Sequence, residues 1–135
     1  MTYQEIEDQL PNGLHDAGLL SINLDFMRAV CNMELSLLVG LPSGLTEEEK
    51  YARRSASIVF KGLHSFIMEP HEDELNDPEG LFIVAGPLPD EKVTPPPSFN
   101  SLPSGVFALW IFLNDNNSFI YLAAREAELV WKECK

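Results

Sequence analysis

The clearest pattern in the chain is an alternation of apolar and polar residues with a period of two. In residues 20–26, Ser21, Asn23 and Asp25 separate apolar side chains at every second position. Successive side chains of a β-strand point to opposite faces, so this pattern predicts a strand with one face in the core and one in water. The predicted buried face carries Leu20, Ile22, Leu24 and Phe26.

The same alternation recurs in residues 33–39 and 54–60, and short apolar runs bounded by turn residues predict the other strands. Asn114 to Ser118 separate the predicted strands of residues 106–113 and 119–124. These residues tolerate a left-handed backbone and bond their own main chain. These two strands are therefore predicted to form a hairpin. Gly62 is predicted to mark a tight turn or bulge between two others. The further predicted strands are residues 33–39, 54–60, 63–68, 106–113 and 119–124.

The two ends of the chain follow other patterns. Residues 3–10 are predicted to form a short helix, because Ile6 and Leu10 fall on one face and acidic residues favour a helix N-terminus. In residues 125–135, Ala127, Leu129 and Trp131 alternate as in a strand, although the composition also suits a helix. A strand is favoured there, and a helix remains the alternative.

Proline is concentrated in residues 70–103, which hold most of the ten prolines of the chain. Proline has no amide hydrogen for a central ladder, so this region is predicted to be loop and sheet edge, interrupted by one short apolar segment at residues 81–85. The strand at residues 106–113 is apolar on both sides. Its cover is predicted to be a second sheet with the Pro-rich loop, or a second copy of the protein in a homodimer.

Together these elements predict a mostly β fold in a single domain of 135 residues. The expected architecture is an antiparallel β-sandwich or open barrel of about six to seven strands with a short N-terminal helix. The N-terminal residues show neither the basic nor the apolar region of a secretory signal, and no segment has the length of a membrane span. Cys31 and Cys134 match no zinc or redox spacing, so reduced thiols and a cytoplasmic location are expected.

Charge narrows the choice of partners. The formal net charge is −12, from 9 Lys and Arg against 21 Asp and Glu. Such a surface repels phosphate backbones and disfavours nucleic-acid binding, whereas it favours a partner with a basic surface. Neither a glycine-rich phosphate-binding loop nor another cofactor motif is present in the sequence, so no cofactor is predicted.

Three histidines and one aspartate are the candidate functional residues. His15 adjoins Asp16 just before the first strand, where a turn would let the pair transfer protons or bind a metal. The favoured interpretation is structural: Asp16 accepts backbone amides in the turn, and His15 packs or donates to a carbonyl. His64 falls in the predicted strand of residues 63–68 and is interpreted as a core or rim residue. His71 begins an acidic run that offers oxygen ligands but lacks a calcium-loop spacing, so a solvated loop is favoured. No residue is assigned as catalytic or metal-binding.

Residues 13–17, Gly-Leu-His-Asp-Ala, run into the first strand, and this opening resembles a group of small bacterial proteins of uncharacterised activity with the same Leu-His-Asp-Ala turn. Residues 112–120 and 127–131 are similar to the closing strands of that group. The resemblance covers about half of the chain. It implies a small β-rich fold and no established activity. Some small acidic bacterial proteins of this kind look like immunity proteins, which neutralise a toxin by covering it.

The leading hypothesis from the sequence is a non-enzymatic binding module that docks a basic protein partner, in the manner of an immunity protein. The alternative is a metal-dependent or acid/base enzyme that uses His15 and Asp16, with His64 as a further candidate. A third hypothesis is that a half-open barrel binds a small apolar ligand.

Overall fold

The computed structural model describes residues 2–40, 46, 48, 52–69, 81–114 and 118–132. In these ranges the chain forms a short helix, eight strands and one 3-10 turn, Pro97–Asn100, so the mostly β prediction and the N-terminal helix are confirmed. The helix is α1 (Tyr3–Gln9), and the strands are β1 (Ala17–Asp25), β2 (Val30–Leu38), β3 (Arg53–Lys61), β4 (Ser65–Met68), β5 (Leu81–Leu88), β6 (Phe107–Leu113), β7 (Ser118–Ala124) and β8 (Glu126–Trp131).

The strands form one open antiparallel sheet in the order β4-β7-β6-β5-β1-β2-β3-β8. The predicted sandwich of two sheets is therefore wrong: the strands form a single open sheet that is not closed, and it has eight strands where about six to seven were predicted. Alternation shows that one face of a strand is buried, but it does not show what covers that face. Here the sheet curves, so that its own strands and α1 cover the buried face.

Strong curvature is evident from two aromatic rings. The centroids of Phe60 in β3 and Phe107 in β6 are 6.4 Å apart, although three strands separate β3 from β6 in the sheet. In a flat sheet these strands would lie about 19 Å apart, because neighbours are spaced by about 4.8 Å. Helix α1 contacts β6 and β8 and buries Tyr3 and Ile6 in the main core. The concave face of the sheet and the helix therefore enclose one hydrophobic core.

The two outermost strand pairs meet at one end of the molecule. Residues 62–64 link β3 to β4, and Arg125 alone links β7 to β8, while β8 pairs with β3 and β4 pairs with β7. The Arg125 amide donates to the carbonyl oxygen of Lys61 at 3.1 Å. Gly62, where a tight turn or bulge was predicted, has φ +62 and forms a bend between β3 and β4, and a Cβ there would lie 3.0 Å from Cβ of Arg125.

A β-bulge in β1 corrects the predicted burial of the first strand. Leu19 pairs with Leu35 and Ser21 pairs with Glu34, so Leu20 is an extra residue and is 43% exposed. Beyond the bulge, Ile22 and Leu24 pack against the core as predicted. Phe26 was predicted to be buried, but it lies beyond the strand and is 84% exposed. One inserted residue thus explains why Leu20 leaves the face shared by Ile22 and Leu24.

The proline-rich region contains a longer and more central strand than the sequence predicts. Strand β5 lies between β1 and β6 and continues through Pro87. Its pairing with β1 ends at Ile83, so Pro87 has a neighbouring strand only on the β6 side. A missing amide hydrogen is tolerated where one edge of a strand has no partner.

The outer face of β6 and β7 is covered by the segment that follows β5. Phe99, in the 3-10 turn, forms a second buried cluster with Ala108, Tyr121 and Ala123. The predicted burial of both faces of β6 is thus confirmed, and its outer cover comes from the proline-rich segment. The β6–β7 hairpin is also confirmed, with Leu113 opposite Ser118, and the C-terminal segment is the strand β8, as favoured.

Candidate functional site

His15 and Asp16 form a pair in the turn that precedes β1. Asp16 has φ +58, and this left-handed backbone lets two adjacent side chains meet, with His15 Nε2 3.3 Å from Asp16 Oδ2. Arg53 holds the turn by donating to the Asp16 carbonyl oxygen at 2.8 Å. The side chains of His15 and Asp16 are 68% and 50% exposed. Water therefore reaches both groups and screens their interaction.

His64 lies far from this pair. It was predicted to lie within a strand of residues 63–68, but the observed strand β4 begins at Ser65. It precedes β4, is exposed, and its Nδ1 lies 2.7 Å from the Ser65 hydroxyl, so the interpretation as a residue inside an apolar strand is wrong. His64 adjoins Leu24 and Asp25, at the end of β1 opposite His15. The nine residues of β1 span about 25 Å, so His15 and His64 do not converge on one metal ion.

The remaining metal candidates are not brought together by the described residues. His71 and the acidic run that follows it lie outside those residues. Within the ranges that the structure describes, no group of three or more His, Cys, Asp or Glu side chains is arranged to hold a metal ion.

Of the apolar residues that the structure describes, the two most exposed lie at the end of the β1–β2 hairpin, in residues 26–29, here called the hairpin tip. Phe26 is 84% exposed and Met27 is 96% exposed. Asp25 Oδ1 accepts the amides of Met27 and Arg28, each at 3.1 Å, and the Ala29 carbonyl oxygen accepts the Leu63 amide at 2.8 Å. These bonds hold the tip in one shape. Sequence reasoning missed it because Phe26 continues the alternation of β1; Asp25, a turn-forming residue two positions before Met27, was the available signal.

A shallow depression of about 320 Å³ lies beside the hairpin tip. It lies between the end of β1 and the β3–β4 link. Apolar side chains form most of its wall, with a carboxylate and an imidazole at the rim. The lining residues are Leu24, Asp25, Phe26, Ala29, Leu63, His64, Ser65 and Phe66.

Acidic and basic side chains are balanced around this end of the molecule. Lys61 Nζ lies 3.0 Å from Glu128 Oε2, and the hydrogen bond and charge of Glu128 raise the pKa of Lys61. Arg28 Nε lies 3.9 Å from Asp25 Oδ2. Arg125 is exposed beside Gly62. Among the described residues of this region, here called the hairpin end, three basic residues (Arg28, Lys61 and Arg125) are matched by three acidic ones (Asp25, Glu126 and Glu128), in contrast to the net charge of −12 of the whole chain.

Helix α1 presents a different surface, with carboxylates and no basic side chain. Glu5 and Asp8 are exposed and lie three residues apart, on one face of the helix. A capping box fixes the first turn: the Glu5 amide donates to the Thr2 hydroxyl at 3.3 Å, and the Thr2 amide donates to the Glu5 carboxylate at 3.4 Å.

Glu7 attaches the helix to the turn before β1. The Tyr3 hydroxyl donates to Glu7 Oε1, and the Leu14 amide donates to Glu7 Oε2 at 3.2 Å. Burial raises the pKa of Tyr3, and the hydrogen bond and charge of Glu7 raise it further. The exposed carboxylates of α1 therefore sit on a helix that is fixed at its N-terminus and along its inner face.

A second depression of about 440 Å³ lies between the proline-rich segment and β6. Asp90, Asn100, Phe99 and Phe107 contribute to its wall. The Trp110 indole nitrogen donates to Asp90 Oδ2 at 3.2 Å, so part of this carboxylate is already engaged. The volume is in the range of small-ligand sites, and this is the feature that corresponds to the apolar-ligand hypothesis.

Comparisons with known proteins assign no family to this fold or to these surfaces. No protein-family model, curated protein or solved structure matches the chain. The group of small bacterial proteins named above therefore stays a resemblance of sequence motifs. None of the helical residues that the structure describes forms a segment long and apolar enough to cross a membrane.

Proposed function

We propose that the protein is a non-enzymatic, acidic binding module that docks a basic protein partner, with a mode of action like that of an immunity protein. The observation that carries the proposal is the exposed carboxylate face of α1, formed by Glu5 and Asp8 in a chain of net charge −12. Long-range attraction between opposite charges accelerates encounter and suppresses association with acidic proteins.

Rigid presentation adds to the effect of charge. The capping box and the bonds of Glu7 fix the helix before any partner arrives, so little conformational entropy is lost when the helix docks. Arg53, a basic residue of β3, is engaged with the Ser36 and Asp16 carbonyl oxygens at 3.1 and 2.8 Å, and it lies over the Phe82 ring. This guanidinium is thus held by the β-sheet and does not neutralise the carboxylates of α1.

Affinity capture from the native host at stepped salt concentrations tests the proposal. The wild type is expected to retain a protein of basic isoelectric point at low salt and to release it as salt rises. The Glu5→Gln and Asp8→Asn double variant removes two charges, and glutamine at position 5 preserves the capping box. We expect this variant to lose the partner.

The matched control is the Glu91→Gln and Glu126→Gln double variant, which changes the net charge equally at exposed positions outside the helix. Retention of the partner by this control and loss by the α1 variant supports docking at α1. Recovery of no protein at any salt concentration, or equal capture by both double variants, contradicts the proposal.

The His15–Asp16 pair is the observation that favours a second function, acid/base or metal-dependent catalysis. The 3.3 Å distance between His15 Nε2 and Asp16 Oδ2 places a carboxylate beside the imidazole, slightly beyond the reach of a hydrogen bond, and the exposure of the pair provides no enclosed site for a substrate. Metal analysis and isothermal titration with Zn²⁺ and Mn²⁺ test this function on the wild type and on His15→Ala. Binding that the variant loses supports it, and the absence of binding to the wild type removes the metal-dependent form.

A further inference from the structure

We propose that the hairpin tip and the depression beside it form a self-association surface whose partner is a second copy of this chain. The proposal does not rest on docking at α1, because it uses the end of the sheet at which β1 and β2 are joined. The two surfaces also respond to salt in opposite directions, so either one can fail alone.

The first step is the exposure of two large apolar side chains on a rigid turn. Phe26 and Met27 contribute nothing to the core, yet the Asp25 carboxylate and the Ala29–Leu63 hydrogen bond hold the backbone around them. Exposed apolar groups clustered on an ordered element mark an interaction surface, and aromatic and methionine side chains are common anchors of such surfaces.

The second step is the position of a recess directly beside this projection. The depression of about 320 Å³ has apolar walls that include Leu24, Leu63 and Phe66. Phe26 and Ala29 of the tip also form part of its wall, so the projection and the recess belong to one continuous patch. A twofold interface uses the same patch on both copies, and in the proposed dimer the tip of each copy enters the recess of the other. Such an arrangement buries Phe26 and Met27 of both copies at once.

The third step is charge, which selects the face through which two copies can approach. Two molecules of net charge −12 repel each other over most of their surfaces. At the hairpin end, Arg28 and Arg125 offset Asp25 and Glu126, and Lys61 pairs with Glu128. Two copies therefore meet there with the least electrostatic cost, and Arg28 of one copy can face Asp25 of the other.

Sedimentation equilibrium over a series of protein and NaCl concentrations tests this inference. The wild type is expected to show a monomer–dimer equilibrium whose association constant rises with salt, because salt screens the repulsion between the two acidic bodies. The Phe26→Ser and Met27→Ser double variant is expected to lower the association constant by about tenfold or more, as truncation of central anchors does. It leaves the net charge unchanged.

The matched control is the Leu20→Ser and Val130→Ser double variant, which removes two apolar side chains that are each 43% exposed at other sites. Its dimerisation is expected to equal that of the wild type. Circular dichroism verifies that both variants keep the fold, and amide hydrogen exchange of the wild type is expected to slow in residues 26–29 and 63–66 as concentration rises.

A wild type that stays monomeric at every concentration and salt overturns the inference, as does a dimer that the tip variant leaves intact. Vesicles of phosphatidylcholine, alone or mixed with phosphatidylserine, provide a further arm. Binding of monomeric wild type to these vesicles, lost in the tip variant, would assign the tip to a lipid surface and contradict self-association.

Discussion

At Gly86, a strand residue has to be glycine because of a neighbouring ring. A Cβ at Gly86 would lie 2.7 Å from Cζ2 of Trp110, which is opposite Gly86 in the β5–β6 pair. We therefore expect Gly86→Ala to displace the indole and to lower the free energy of unfolding by about 1–3 kcal/mol, the usual cost of overpacking. Urea unfolding followed by circular dichroism measures this change.

A double-mutant cycle provides the control for Gly86. If the indole is the cause, Gly86→Ala costs less in a Trp110→Leu background, with a coupling of about 1 kcal/mol or more. Equal costs in the two backgrounds would show that the backbone of β5, rather than Trp110, sets the requirement for glycine.

Cys31 predicts a specific loss of stability at alkaline pH. It is fully buried in β2, and burial raises the pKa of its thiol from 9.0 to about 12. A raised pKa in the folded state means that its contribution is complete below pH 9 and is lost as the pH rises towards 12. In a Cys134→Ser background, the free energy of unfolding should therefore fall above pH 9, as measured by urea titration at stepped pH.

Cys31→Ala in the same background is the control for this pH dependence. The variant is expected to be less stable at neutral pH but to lose nothing more until about pH 10, where ionisation of Tyr3 in the unfolded state begins. Parallel stability curves with and without the Cys31→Ala substitution between about pH 9 and pH 10 would contradict the assignment to the thiol.

Among the strands, β1 shows how one inserted residue preserves the pattern of burial. Deleting Leu20 removes the bulge residue, and every pair from Ser21–Glu34 to Asp25–Val30 keeps its register. Deleting Asn23 instead moves Leu24 to the outer face and Asp25 to the core face. We expect the Leu20 deletion to cost less than about 1 kcal/mol and the Asn23 deletion about 2 kcal/mol or more, from the lost burial of Leu24.

Thermal and urea unfolding of the two deletion variants distinguish these effects. Because each variant lacks one residue of the same strand, chain shortening is matched. A Leu20 deletion as costly as the Asn23 deletion would show that the bulge itself, through the bend it gives β1, is needed for the curvature of the sheet.

The strands that the sequence predicted well are those that can be recognised from their own residues and adjacent turns, without knowledge of distant strands. Strands β2 and β3 were recognised from their alternation, and β6 and β7 from their continuous apolar runs and the turn between them. The length and central position of β5 were underestimated because prolines usually indicate the edge of a sheet. Pro87 is tolerated in β5 because the pairing with β1 has already ended, so Pro87 has a neighbouring strand only on the β6 side. Pairing with a distant strand, β3, placed β8 in the sheet; local propensity left it ambiguous.

The candidate surfaces of the whole molecule were predicted only in part, for related reasons. The contact between His15 and Asp16 could be anticipated, since a turn brings adjacent side chains together, and the structure contains that turn. The hairpin tip was missed because Phe26 continues the apolar alternation, although Asp25 was a signal that the strand ends there. Separation of charge between α1 and the hairpin end also depends on the order of strands in the sheet, which composition does not contain.

The net charge of −12 leads to a prediction for the stability of the whole molecule. Repulsion among like charges is strongest in the compact state, and the Debye length shortens from about 30 Å at 0.01 M salt to about 8 Å at 0.15 M. The free energy of unfolding is therefore expected to rise with NaCl, on the order of 1 kcal/mol over this range. Choline chloride should act equally, since screening depends on ionic strength.

A larger rise in CaCl₂ at equal ionic strength would indicate a bound divalent ion, for which the acidic run after His71 is the candidate. A fall in stability with NaCl would mean instead that ion pairs such as Lys61–Glu128 outweigh the net repulsion.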